Sequence, residues 1–188
     1  MKKSILTLKM VWILILCLLC CACSTTEKDS HFTAEEYVAA FAELNEGVTI
    51  VESAPGLLAV EYEQGSPVNV NYNAQGLCTA ISTQVTTALD DSEAASTAGV
   101  KLGMSTTKMI YVARYLELDK NEEAVGLEMD DVLLGFHQLM SSMTENDYLA
   151  MMEAPVTKET TISGHPATLT MAFDVLEMAL VMTVTYLP

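Results

Sequence analysis

From residue 32 onward, the spacing of apolar residues runs helical, then alternating, then helical, then alternating again. Tyr37, Phe41 and Leu44 recur at intervals of three and four, as one face of a helix does. Thr33 with Glu36 three residues later makes a capping box, and Phe32 and Tyr37 occupy the two positions of a hydrophobic staple, so the helix begins at Thr33 and stops at Gly47. Extended stretches follow near 48–53, 57–63, 67–73 and 77–87, separated by Ala54-Pro55-Gly56, Gly65-Ser66 and Gln75-Gly76. Turn residues at that spacing predict a four-stranded antiparallel meander. In the third stretch Val68, Val70 and Tyr72 alternate with Asn69, Asn71 and Asn73, which makes one sheet face apolar and the other wet.

Between residues 90 and 143 the period is helical, and starts at Asp90 or Asp91, at Ser105, and at Asp130 or Asp131 predict three helices. Met109, Val112 and Leu116 form one buried stripe; Val132, Phe136, Leu139, Met140 and Met143 form another. A short helix begins at Thr144, Pro155 closes it, and three strands follow near 156–163, 166–173 and 178–186. The expected order is α-ββββ-ααα-α-βββ, an α+β domain over residues 32–188 with helices packed on one face of antiparallel meander sheets. The stretch from Phe32 to Ala39 echoes that from Met143 to Ala150, as a duplicated helix-plus-meander unit would, although shared capping chemistry produces the same similarity.

The first 22 residues change the picture of where this domain works. Lys2, Lys3 and Lys9 precede an unbroken apolar run of twelve residues, 11–22, which is too short to span a bilayer but has the length of a signal-peptide core. The run ends in Cys20-Cys21-Ala22-Cys23-Ser24, which resembles the lipobox of bacterial lipoproteins. That resemblance implies cleavage after Ala22 and a covalent diacylglycerol on Cys23, with Cys21 as the alternative position because Leu18 lies three residues before it. It places the domain on the extracytoplasmic side of the cell membrane, held by two acyl chains. Residues 24–31 have no apolar pattern and reach at most about 28 Å when extended, so the domain stays close to the bilayer. The only other cysteine of the mature chain is Cys78, which leaves no internal disulfide and reads as a small buried hydrophobe.

Removing residues 1–22 takes away three lysines and no acid, which moves the net charge from −16 to −19. Such a domain repels nucleic acid and anionic lipid headgroups, so neither is expected as a direct ligand of its surface, and divalent cations or basic partners suit it better. Asp119, Asn121 and Glu123, with Asp130 at the twelfth position, resemble an EF-hand calcium loop, but Ala124 stands where the turn needs glycine and Asp130 replaces the longer glutamate. Capping and helix-dipole roles for these acids compete with calcium binding.

Ser105-Thr106-Thr107-Lys108 matches the Ser-x-x-Lys string of penicillin-binding proteins, but the Ser-Asp-Asn and Lys-Thr-Gly companions are missing, and a helix N-cap accounts for Ser105. His31, His137 and His165 lack the spacing of a zinc site or catalytic pair. The ten methionines of the mature chain read as core, with a Met-lined space between helices and sheet as the competing use. On the wet face of the first meander, Asn69, Asn71 and Asn73 lie beside Glu61 and Glu63 as a polar platform suited to a glycan or a partner protein of the envelope, or as a solvated surface that discourages aggregation.

The sequence therefore predicts a non-catalytic, membrane-tethered binding or adaptor lipoprotein without a dissociable cofactor. A carrier of lipid or a small apolar solute, and an enzyme without a recognisable motif, are the alternatives. An apolar cavity would favour the carrier, and a buried polar cluster with shifted ionisation would favour the enzyme.

Overall fold

The structure is a computed structural model that describes residues 32–63, 65–88 and 92–188. The predicted leader 1–22, the lipidation positions Cys21 and Cys23, the tether 23–31 with His31, and the helix starts Asp90 and Asp91 lie outside the described residues.

Helix α1 (Ala34–Leu44) starts as its caps dictate. The Thr33 hydroxyl accepts from the Glu36 amide at 3.1 Å, Glu36 accepts from the Thr33 amide at 2.8 Å, and the Phe32 and Tyr37 rings stack with centroids 5.8 Å apart. The meander forms as β1 (Thr49–Ala54), β2 (Leu57–Glu61), β3 (Val68–Tyr72) and β4 (Cys78–Ala88), each within a few residues of its expected bounds. After the helical region come β5 (Val156–Ile162), β6 (His165–Asp174) and β7 (Ala179–Tyr186). The two meanders make a single seven-stranded antiparallel sheet, β1-β2-β3-β4-β7-β6-β5, joined where β4 pairs with β7 from Ile81 opposite Tyr186 to Ala88 opposite Ala179.

The helical region corrects the expectation of three helices. It holds two long ones, α2 (Ser92–Glu117) and α3 (Glu122–Ser141), before the short α4 (Glu145–Ala150), so the order is α-ββββ-αα-α-βββ. Ser105 is no N-cap; it is fully buried inside α2. Glycines at 99 and 103 each cost an isolated helix about 1 kcal/mol, yet α2 continues through them because its packing outweighs that loss. Gly103 lets α3 approach, since a Cβ there would stand 3.2 Å from Phe136. Nor does α3 start at Asp130 or Asp131. Asn121 caps it by accepting from the Ala124 amide at 3.1 Å, after a reversal in which Asp119 and Lys120 both take left-handed φ values of 53° and 62°.

The helices cover one face of the sheet. Val60, Val68, Val70 and Ile81 from the first meander and Leu169, Met171, Val184 and Tyr186 from the second share one hydrophobic core with Tyr37, Phe41, Leu102, Ile110, Val132 and Leu139 from the helices. Both α1 and α4 have capping boxes, but α1 buries five side chains and α4 none, so the echo between them extends to capping and not to packing. Among the described residues no helix is long and apolar enough to cross a membrane.

Candidate functional site

The face of the sheet turned away from the helices carries two polar rows between apolar positions such as Leu57, Ala80 and Val181. Register places Asn69 opposite Ser82 and Ser82 opposite Thr185, with Thr168 beyond Thr185 and Glu159 beyond Thr168. A neighbouring row carries Gln84, Thr183, Thr170 and Thr157. Cross-strand hydrogen bonds knit this row: Thr157 and Thr170 hydroxyls lie 3.1 Å apart, and Thr183 donates to Gln84 at 3.3 Å. Every side chain in both rows is half-buried or exposed, whereas the residues between them on β4, β6 and β7, Thr83, Leu169 and Val184, are buried. The rows are almost uncharged in a strongly acidic chain, with Glu159 the acid among them.

Of the five residues expected on this face, three reach it. Asn69 and Asn71 project from β3 beside Ala59 and Leu57, and Glu61 ends β2 on the same side. Asn73 lies beyond β3, where its side-chain oxygen accepts from the Gln75 and Leu77 amides, both at 3.0 Å, and shapes the β3–β4 turn. Glu63 lies beyond β2, near Gly47 at the opposite end of the hairpin. Strict alternation in sequence masks that the outer two of these positions fall past the strand ends. Missing from the sequence reading were Thr157, Thr168, Thr170, Thr183, Thr185, Ser82 and Gln84. Their signal was the Thr-x-Thr alternation in β6 and β7, which gains meaning only when those strands are known to pair with β4.

The calcium candidates separate. Asn121 caps α3, Glu123 lies in its first turn, and Asp130 lies in the same helix about 10 Å further along the axis, so the twelve-residue loop an EF-hand needs does not form. Among the described residues no three His, Cys, Asp or Glu side chains come together as a metal-holding group.

Ser105 and Lys108 do meet a common neighbour. The Ser105 hydroxyl oxygen accepts from the Tyr62 hydroxyl and from the Ser66 amide, both at 2.8 Å, and the Lys108 ammonium lies 4.8 Å from the centroid of the Tyr62 ring. With Ser105 fully buried and its lone pairs occupied, it serves as a hydrogen-bond anchor for the loop after β2. Gly65 belongs to this arrangement, because a Cβ there would come within 1.9 Å of the Tyr62 hydroxyl.

A second polar cluster joins α2, α3 and the end of the sheet. Arg114 donates from Nε and Nη2 to the two carboxylate oxygens of Glu128 at 2.7 and 3.0 Å, and from Nη1 to Glu117. His165 Nε2 lies 3.0 Å from Arg114 Nη1 and 3.3 Å from Glu117. The pairing with Glu128 raises the Arg114 pKa, and burial, followed by the Glu117 charge, raises that of the Tyr186 hydroxyl. Burial likewise pushes the Cys78 thiol up to about 12. All three shifts lead away from neutrality, whereas a general acid or base is tuned toward it. The cluster reads as an ion-pair tie between layers. His137 is exposed on α3, nine residues after Glu128.

The methionines divide by location. Met109, Met171 and Met182 are packed in the core between helices and sheet, while Met104 and Met140 line an outer groove between α2 and α3. Compared with family models, curated proteins and solved structures, the chain matches none of them.

Proposed function

We propose that this chain is a membrane-tethered binding or adaptor lipoprotein of the bacterial envelope, anchored through a diacylglycerol on Cys23, whose open sheet face receives a partner protein. The observation that carries the reading is that face: it belongs to a seven-stranded sheet, is uncovered by helices, and from β3 to β5 presents rows of hydroxyl and amide side chains. At roughly 4.8 Å per strand and 3.3 Å per residue it offers on the order of 600 Å², close to what one partner contributes to a standard protein interface. No Trp, Tyr or Phe side chain stands in the two polar rows, so the ring-stacking platform that favours sugars is missing there, which supports a protein over a glycan. Short, β-branched threonines lose little side-chain entropy on contact, and both their donors and their acceptors remain usable.

The test places photo-crosslinking residues in the full chain in living cells, at Thr170 on the sheet face and at Gln138 on α3. A discrete adduct from Thr170 that is absent from Gln138, and that is lost in Asn69→Thr/Asn71→Thr, supports the reading. Threonine is the better strand former, so this variant keeps or raises the melting temperature while capture falls. Equal labelling from both faces, or none from either, overturns it. Mass spectrometry of the native N-terminus checks the anchor separately: a diacylated peptide starting at Cys23 is expected, and an unlipidated mature terminus removes the lipoprotein part of the reading.

A further inference from the structure

On the side of the molecule away from the sheet, α2 and α3 line a shallow, open groove of about 690 Å³. Its α2 side repeats at helical spacing: Ser96, Gly99, Gly103 and Thr107 are small and open the floor, while Val100 and Met104 stand 61% and 41% exposed at its edge. Leu133, Phe136 and Met140 of α3 form the opposite wall. From Ser96 to Lys108 the floor runs about 18 Å along the α2 axis. It ends at the single charged side chain in the lining, Lys108.

That cation is unusual in its surroundings. The domain is strongly acidic, yet no carboxylate lines the groove, and among the described residues Lys108 makes no ion pair. The face of the Tyr62 ring holds its ammonium without neutralising it. Beyond Lys108 a second hollow, lined by Leu44, Tyr111 and Met129, continues the apolar surface toward α1.

The geometry points to a binding site for a single-chain amphiphile, an acyl chain lying along the α2–α3 groove with an anionic head group at Lys108. Length, apolar walls and a lone terminal cation together match that ligand chemistry. The flexible thioethers of Met104 and Met140 adapt to a chain that has no fixed shape. A closed cavity is unnecessary, because the groove buries one side of the chain while the head stays in water. The site is distinct from the sheet face, and it depends on the proposed anchor only for nearness to a bilayer that supplies such molecules.

The probe is a long-chain fatty acid bearing a diazirine near its methyl end, with the corresponding alcohol as its uncharged counterpart. Full chain is irradiated with each probe in phosphatidylcholine vesicles, and as the Cys23→Ser variant in solution, and the adducts are mapped by peptide mass spectrometry. Adducts concentrated in residues 96–108 and 133–140 are expected in both settings. Gly99→Trp sets an indole over the groove from a position where an added Cβ meets nothing within 4 Å, and lowers this labelling at least tenfold at an unchanged melting temperature. Lys108→Gln weakens labelling by the acid and leaves labelling by the alcohol in place. Labelling spread over the whole surface, insensitivity to Gly99→Trp, or crosslinks that join two copies of the chain through the groove overturn the assignment. Because the solution arm needs no anchor, a missing lipid on Cys23 and an empty groove give different results.

Discussion

Single residues do two kinds of work here, shaping turns and tying charges. The capping boxes of α1 and α4 show the first kind in duplicate: Glu36 and Asp147 each accept from the backbone amide and hydroxyl of the threonine three residues earlier. Those hydrogen bonds hold both carboxyl pKa values down. For Asp147, Thr144 is the largest cause and Lys158, 2.9 Å away on β5, adds to it, lowering the pKa to about 2. A folded-state pKa below the unfolded one contributes stability that is complete above the unfolded pKa and is lost as pH falls through the folded value. Acid should therefore weaken this contact as pH falls from about 4 to about 2. Thermal melts across that range should decline less steeply for Asp147→Asn than for the native chain; parallel declines would show that the contact does not contribute.

Between elements, α3 lies close against the end of β5. A Cβ at Gly135 would lie 2.8 Å from Ile162 Cγ1 and 3.5 Å from the Ile162 backbone, and Ile162 is itself fully buried. Helix propensity favours alanine over glycine by about 1 kcal/mol, but overpacking a core costs typically about 1–3 kcal/mol. Because β5 would have to move along with the side chain, packing should win, and Gly135→Ala should lower urea-unfolding stability by about 1–2 kcal/mol. An increase would mean that β5, an edge strand, yields readily. Gly99→Ala provides the contrast, for it lies in open space and should be neutral or stabilising.

Across the whole molecule, the Arg114 tie joins α2 and α3 to the second meander at one end of the sheet. Glu117 is 5% exposed; one of its oxygens pairs with Arg114 and lies 3.3 Å from His165 Nε2, and the other has no hydrogen-bond partner among the described residues. Arg114→Met should cost about 3–5 kcal/mol, as removal of one partner from a buried pair does. Arg114→Met/Glu117→Gln should recover part of that loss, because the stranded charge is gone. A double variant no more stable than the single one would place the cost in lost packing around the arginine stem.

Which surfaces were legible followed from how far apart the responsible residues lie in the chain. Thr33 with Glu36, Thr144 with Asp147, and the alternation of β3 act over two or three residues, so caps, strands, the apolar face and the α+β class could all be read directly. The helix count could not, because glycines and a serine inside α2 resemble a boundary until Phe136 and the loop after β2 are seen packed on them. Asn73 and Glu63 match their neighbours in type and spacing, and only the strand ends exclude them from the face. The rows of threonine exist because β4 pairs with β7 about a hundred residues later, and the groove exists because α2 and α3 pack side by side. Local chemistry determines where elements begin and which side of each is apolar. Their partners are chosen by burying those apolar sides together, and that choice, made between distant segments, assembled both the open face and the groove.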